Sequence, residues 1–165
     1  MTKPLNTYMK TKHAVGTLLL VTALTAGSLA LAEEDIAMNK LPAAVQTTLR
    51  QITGGSHLEG CDSEVADGKT IYEADFKSKG SGCSVTVNEA GEVLEWSIDA
   101  PLNIVPPTVL KAALNAHPGG KIGESEIHNK DSRLFYVLEV RTDNGAYDVS
   151  LDAAGKIMAD EKDTD

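Results

Sequence analysis

Apolar positions along this chain recur at two spacings, and the change from one to the other happens twice. In "LPAAVQTTLRQITGG" they fall at Leu41, Val45, Leu49 and Ile52, with Pro42 in the first turn and a Gly pair at the end. This is the 3.6-residue period of a helix with one apolar face, opened where the missing N–H of Pro costs nothing and closed by Gly. "VPPTVLKAALNAHPGG" repeats the arrangement with Val105, Val109, Leu110, Ala113 and Leu114. After each helix the period drops to two. Tyr72, Ala74 and Phe76 alternate with Ile71, Glu73, Asp75 and Lys77, and Cys83, Val85 and Val87 alternate with Ser84, Thr86 and Asn88. In "RLFYVLEVR" the core set is Leu134, Tyr136, Leu138 and Val140, leaving Phe135 and Val137 on the other side with Glu139 and Arg141. Alternation with one polar side predicts half-buried antiparallel strands, and "ADGK", "SKGSG", "NKDSR" and "TDNGA" supply the turns between them.

The two halves share more than a period. With one offset of 64, Pro42 falls on Pro106, Val45 on Val109, Tyr72 on Tyr136, Phe76 on Val140, Val85 on Val149, Val87 on Leu151 and Gly91 on Gly155. A constant offset of this kind predicts two tandem copies of one unit, residues 40–98 and 104–160, joined at "DAPLN". Each copy is expected to be a helix packed on a three to four stranded antiparallel sheet, so the fold class is α+β. A unit this small barely supplies its own core, and the halves should therefore pack together or share a continuous sheet. The stretches "VTVNEAGEVLEW" and "DVSLDAAGKIMA" are the same hairpin written twice. Asn88 or Asp152 starts a type I turn, and Gly91 or Gly155 takes its left-handed position.

The order of Pro-led helix, Gly break, alternating Tyr-containing strand and "V-x-V-x-x-x-G" hairpin resembles the PepSY-like domain, in particular its β-lactamase-inhibitor-like branch. The resemblance covers nearly the whole chain after residue 40, in two copies. It implies a secreted or periplasmic module that binds proteins, with inhibition of a peptidase or β-lactamase-like enzyme as the analogy. Its motifs are structural, and no functional residue is carried over from it.

The start of the chain changes the picture of where the protein works. The first 32 residues hold Lys3, Lys10 and Lys12 and no acid, then the apolar run "AVGTLLLVTAL" and "ALA" before Glu33. This reads as a secretory signal peptide, residues 1–32, cleaved after Ala32, and the apolar run is short for a membrane span. Met9 would open an equally complete signal. The expected location is periplasmic or secreted, with no membrane attachment after cleavage. The formal charge of the whole chain is −9, and losing three lysines makes it more negative. Such a balance repels nucleic acid and anionic membrane and suits a basic partner. The closing "DEKDTD" reads as a solvated, frayed tail, without the alternate acids and central Gly of a calcium loop.

Two cysteines, Cys61 and Cys83, both lie in the first unit. An even count in an exported chain favours a disulfide, which would stabilise the fold by roughly 3 kcal/mol. The bridge carries a geometric condition. Were Cys61 in the first strand and Cys83 in the third of a simple meander, two strand spacings of about 4.8 Å would part them beyond the ~7 Å reach of a disulfide.

Candidate chemistry is sparse. His57, His117 and His128 have no partner His at metal spacing, and no hydrolase, metalloprotease or phosphate-cradling motif is present. His57 and His117 follow helices, where a cation suits the helix dipole. Glu73 and Asp75 share one side of a strand, more often simply its wet side, and no aromatic pocket residue is expected beside them to raise a pKa. Trp96, the single tryptophan, shares a strand with Leu94 and Ile98 and is expected in the core. No enzyme activity, metal or cofactor is therefore expected. A binding face is expected instead, around Ile71, Phe135 and Val137, with Glu73, Asp75, Glu139 and Asp148 as an acidic rim and a periplasmic or secreted protein as partner. Contact between the two units would equally account for outward-facing Phe135. The rival reading is a small-ligand or metal-binding periplasmic protein that uses the histidines and surface acids.

Overall fold

The computed structural model describes residues 36–163 apart from residue 67. The signal peptide expected at residues 1–32 lies outside the described residues. A 3-10 turn, Met38–Lys40, leads into helix α1, Ala43–Thr53, followed by strands β1, Leu58–Ala66, β2, Lys69–Ser78, β3, Ser81–Asn88, and β4, Val93–Asp99. Helix α2, Pro107–Ala116, is followed by β5, Lys121–Lys130, β6, Arg133–Thr142, β7, Gly145–Asp152, and β8, Ile157–Lys162. All eight strands pair in chain order as one antiparallel sheet. The fold is α+β, with four strands after each helix.

The helices form where the sequence places them, and each buries the residues its period singles out. Val45 and Leu49 of α1 are fully buried against Cys61, Ala74, Phe76, Val85 and Val87. Val109 and Ala113 of α2 are fully buried against Leu138, Val140, Val149 and Leu151. Two cores result, one over β1–β3 and one over β5–β7. Both lie on the same side of the sheet. Cys83 pairs with Ile98, Ile98 with Ile127, Ile127 with Tyr136 and Tyr136 with Leu151, and directly opposed residues share a face. Ile71, Glu73, Thr86, Glu95, His128 and Phe135 belong to the opposite face, which neither helix covers.

The halves are joined by β4 and β5, whose ladder runs from Glu95↔Lys130 to Asp99↔Glu126. That pairing makes the sheet continuous rather than two sheets stacked face to face. Contact between two stacked units, the alternative account of an outward Phe135, is thereby set aside. The chain's last strand also differs from expectation. Asp160 to Lys162 are not a frayed tail but part of β8, and Asp160 accepts a 2.9 Å contact from the His117 ring.

Each hairpin built on the shared motif is pinned under a helix. Gly91 and Gly155 have φ of 79° and 85°, and their N–H groups donate to the Asn88 and Asp152 carbonyls at 2.8 and 2.9 Å. A Cβ on Gly91 would stand 2.8 Å from the Ala44 carbonyl oxygen, and one on Gly155 would stand 2.8 Å from that of Thr108. Thr48 closes the first of these junctions by donating to the Gly91 carbonyl at 2.7 Å. Glycine is thus required twice over, for its backbone conformation and for the room it leaves the helix.

Gly91→Ala or Gly155→Ala should each lower unfolding stability by at least about 2 kcal/mol, from left-handed strain plus a clash with helix backbone. Gly119, with φ of 82° and open space around it, should cost only about 1 kcal/mol on the same change. Urea denaturation of the three variants tests this, and equal losses would remove the role given to helix contact.

Candidate functional site

The uncovered face is mostly polar, and its middle is more buried than its lack of a covering layer would suggest. Glu95 on β4 is 7% exposed, His128 on β5 is 5% and Thr86 on β3 is 9%. They shelter one another across the seam between the halves. The His128 ring lies 3.0 Å from the Glu95 carboxylate through Nδ1 and 2.8 Å from the Glu126 carboxylate through Nε2. A neutral imidazole has a single N–H, so it can satisfy only one of two flanking carboxylates. The doubly bonded geometry therefore calls for imidazolium. Lys130 adds a second cation to Glu95 at 3.0 Å, and the Phe135 ring stacks on His128 with centroids 5.0 Å apart.

The electrostatics follow from these contacts. Burial alone would push His128 down, but bonds to Glu126 and Glu95 outweigh it and raise its pKa to about 9. Burial likewise works to raise Glu95, while His128 and Lys130 hold it below its ordinary value. Glu73 stands apart on β2. Burial raises it to about 7 against a 2.8 Å hydrogen bond donated by Ser84, with Asp75, Asp62 and Glu64 adding repulsion. No aromatic pocket is needed for that shift, which is why the sequence did not reveal it.

All seven residues expected to form a binding face occupy this side of the sheet. They form two groups rather than one patch. Ile71, Glu73 and Asp75 lie on β2, while Phe135, Val137 and Glu139 lie on β6 with Asp148 opposite Glu139 on β7. Four strand spacings, about 19 Å, separate β2 from β6. The ground between them is Ser84, Thr86, Glu95, Ser97, Glu126, His128 and Lys130. Glu139 is ion-paired with Arg141, which also reaches Glu124 at 3.5 Å. Sequence reasoning missed the seam cluster, because Glu95 and His128 lie 33 positions apart and meet only through β4–β5 pairing.

The comparisons with known proteins bear on the half that follows this seam. Residues 108–160 match the PepSY family, described as "Peptidase propeptide and YPEB domain". The second half is thus similar to a PepSY domain over about a third of the chain's length. No functionally curated protein matches the chain. Among solved structures, a candidate periplasmic protein of Bacteroides eggerthii is 19% identical, with a TM-score of 0.61, over 74% of this chain and 88% of its own. A DUF2874 family protein of Bacteroides uniformis is 21% identical, with a TM-score of 0.59, over 73% and 88%. A BLIP-like protein of Bacteroides fragilis is 18% identical, with a TM-score of 0.56, over 76% and 88%. These likenesses extend the shared fold across both halves.

The second half holds two of the three histidines considered, and both rings are already engaged by neighbouring side chains. His117 caps α2, ion-pairs with Asp160 and stacks on Tyr147 with centroids 4.2 Å apart. His128 is saturated by its carboxylates. His57, in the loop after α1, is exposed. Among the described residues no group of three or more His, Cys, Asp or Glu side chains could hold a metal ion. In the first half no disulfide joins Cys61 and Cys83. Cys61 lies in β1 opposite Ala74, and Cys83 lies in β3 opposite Phe76, so β2 runs between them. This is the arrangement in which two strand spacings exceed the reach of a disulfide. Burial also pushes the Cys83 thiol up, away from a reactive thiolate. Trp96 departs from expectation as well. It is 39% exposed and belongs to neither core, because β4 runs between the areas that α1 and α2 cover.

Two groups should make the protein less stable as pH rises from mild acid to 9, Glu73 over the lower part of that range and His128 over the upper. His128 contributes fully below 6.5, and that contribution is lost as pH rises through about 9. Glu73, raised to about 7, favours the folded state in its protonated form and loses this as pH rises through 7. Glu95, held low, works oppositely, contributing above its ordinary 4.5 and losing this only as pH falls. The thermal midpoint should therefore be highest in mild acid and fall towards pH 9. His128→Gln should cost about 3 kcal/mol at pH 6, by leaving buried carboxylates unpaired, and clearly less at pH 9. A midpoint that rises between pH 6 and 9 would contradict this.

Proposed function

We propose that the chain is an exported, non-catalytic binding module that engages another protein through the uncovered face of its sheet. The observation that carries this reading is the face itself. A side of an eight-stranded sheet with no layer over it among the described residues presents Ile71, Phe135 and Val137 beside Glu73, Asp75, Glu139 and Asp148. Half-buried apolar side chains within a polar field are the composition of a protein-recognition surface. The carboxylates and the net negative charge select a basic partner and speed its encounter. The likeness to a BLIP-like protein supports inhibition of a peptidase or β-lactamase-like enzyme as the form this binding takes, by analogy of fold.

Two tandem PepSY-like copies, 40–98 and 104–160, are part of the proposal. Its support is the equivalence of buried positions under the offset of 64. Val45 and Val109, Ala74 and Leu138, Val85 and Val149, and Val87 and Leu151 are each buried against their own helix or sheet. The glycines at 91 and 155 abut carbonyls at 44 and 108, again 64 apart. Export to the periplasm rests on the signal peptide read at residues 1–32 and on the relative from Bacteroides eggerthii. Among the described residues no helix is long and apolar enough to cross a membrane.

A test is capture from periplasmic extract on immobilised wild-type protein and on a variant carrying Asp75→Lys and Asp148→Lys, two exposed positions of the face. The reading expects a discrete bound protein whose capture drops at least about tenfold in the variant, as reversing two rim charges opposes a basic surface. Equal capture by both proteins would place the binding elsewhere.

A further inference from the structure

The helix-bearing side of the sheet holds a second surface, separate from the uncovered face and independent of its function. Between the two cores a cleft of about 260 Å³ is lined by Val93, Leu94, Trp96, Asn129, Asp131 and Ser132. It exists because α1 covers β1–β3 and α2 covers β5–β7, so the first residues of β4 are left without a helix. A bulge adds to it. Thr86 opposes Glu95 and Val87 opposes Val93, which makes Leu94 an extra residue bent out of the ladder. Val93, Leu94 and Trp96 are 45%, 38% and 39% exposed, and Leu134, opposite Asn129 in the ladder, is 55% exposed. Val93, Leu94 and Trp96 therefore present three large apolar side chains to the cleft, with Leu134 on the far side of Asn129.

The rim is built at a conformational cost. Asp131 and Ser132, the two turn residues between β5 and β6, have φ of 51° and 61°. The turn between β2 and β3 relieves the same demand with Gly80, and that between β1 and β2 with Gly68. Ser at the second position forgoes that relief and keeps a hydroxyl at the cleft, and strain of this kind gathers at ligand-holding sites. Of the six lining residues only Asp131 is ionisable, so three apolar side chains share the cleft with two neutral polar ones and a single negative charge at its edge.

We propose that this cleft docks a segment of a partner protein in which an apolar side chain adjoins Arg or Lys. The apolar side chain would fill the space over Val93, Leu94 and Trp96, and the cation would meet the Asp131 carboxylate at the same cleft. Charge complementarity selects a basic segment. Trp96 supplies the kind of anchor on which recognition concentrates, and its indole face favours a guanidinium.

Trp96 is the sole tryptophan, so its fluorescence reports on this cleft alone. The wild-type chain is titrated with Ac-Leu-Arg-Leu-NH2, with Ac-Leu-Glu-Leu-NH2 and with Ac-Gly-Arg-Gly-NH2. The proposal expects a saturable emission change with the first peptide, at least about tenfold weaker binding of the other two, and Asp131→Asn weakening the first about threefold. No saturable change with the first peptide up to millimolar concentration, or equal responses to all three, overturns it. An unaltered affinity in Asp131→Asn overturns the assignment of the cation to that carboxylate.

Discussion

The pairing of β4 with β5 is the constraint on which the remaining structure depends. A strand has two sides, and once five consecutive residues of β4 are laddered to β5 the sidedness of one half dictates that of the other. Both helices then fall on the same face. The opposite face becomes a single polar expanse, and the strip between the helices becomes a cleft. Neither surface would exist if the halves had packed face to face, as two sheets with a shared core would.

The same pairing explains the most tightly held polar residues. Glu95 belongs to the first half and His128, Glu126 and Lys130 to the second, and their contacts span the junction or flank it. Burying carboxylates costs free energy unless each charge is matched, and here a doubly bonded imidazolium and a lysine match them. The cluster ties the halves together through charge, where the cores tie each half to its own helix through apolar burial. Phe135, stacked on His128, thus takes part both in this cluster and in the face proposed to bind.

Much of this architecture was legible from residue spacing. Helix periods at Val45, Leu49, Val109 and Ala113, alternation through Tyr72 to Phe76 and Leu134 to Val140, and turns ending in Gly91 and Gly155 all form as read. The sides assigned to Ile71, Glu73, Phe135 and Val137 follow from alternation and hold. What spacing does not carry is lateral position in a sheet. Trp96 alternates as a core residue does, yet lies on a strand that no helix covers. Leu134 shares the core register of Leu138 but, at the start of β6, is left exposed. The cysteines illustrate the same limit, since a count of two favours a bridge while strand order places β2 between them. Glu95 and His128, distant in sequence, gave no local signal at all.

Amide hydrogen exchange across β4 and β5 tests this account most directly. In a continuous sheet the laddered amides of Trp96, Ile98, Ile127 and Asn129 lie in its interior. They should exchange as slowly as the laddered amides of β2, β3, β6 and β7, in one cooperative unit. Rapid exchange at β4 and β5, as at open edges of two separate sheets, would contradict the fused seam and with it both surfaces derived from it.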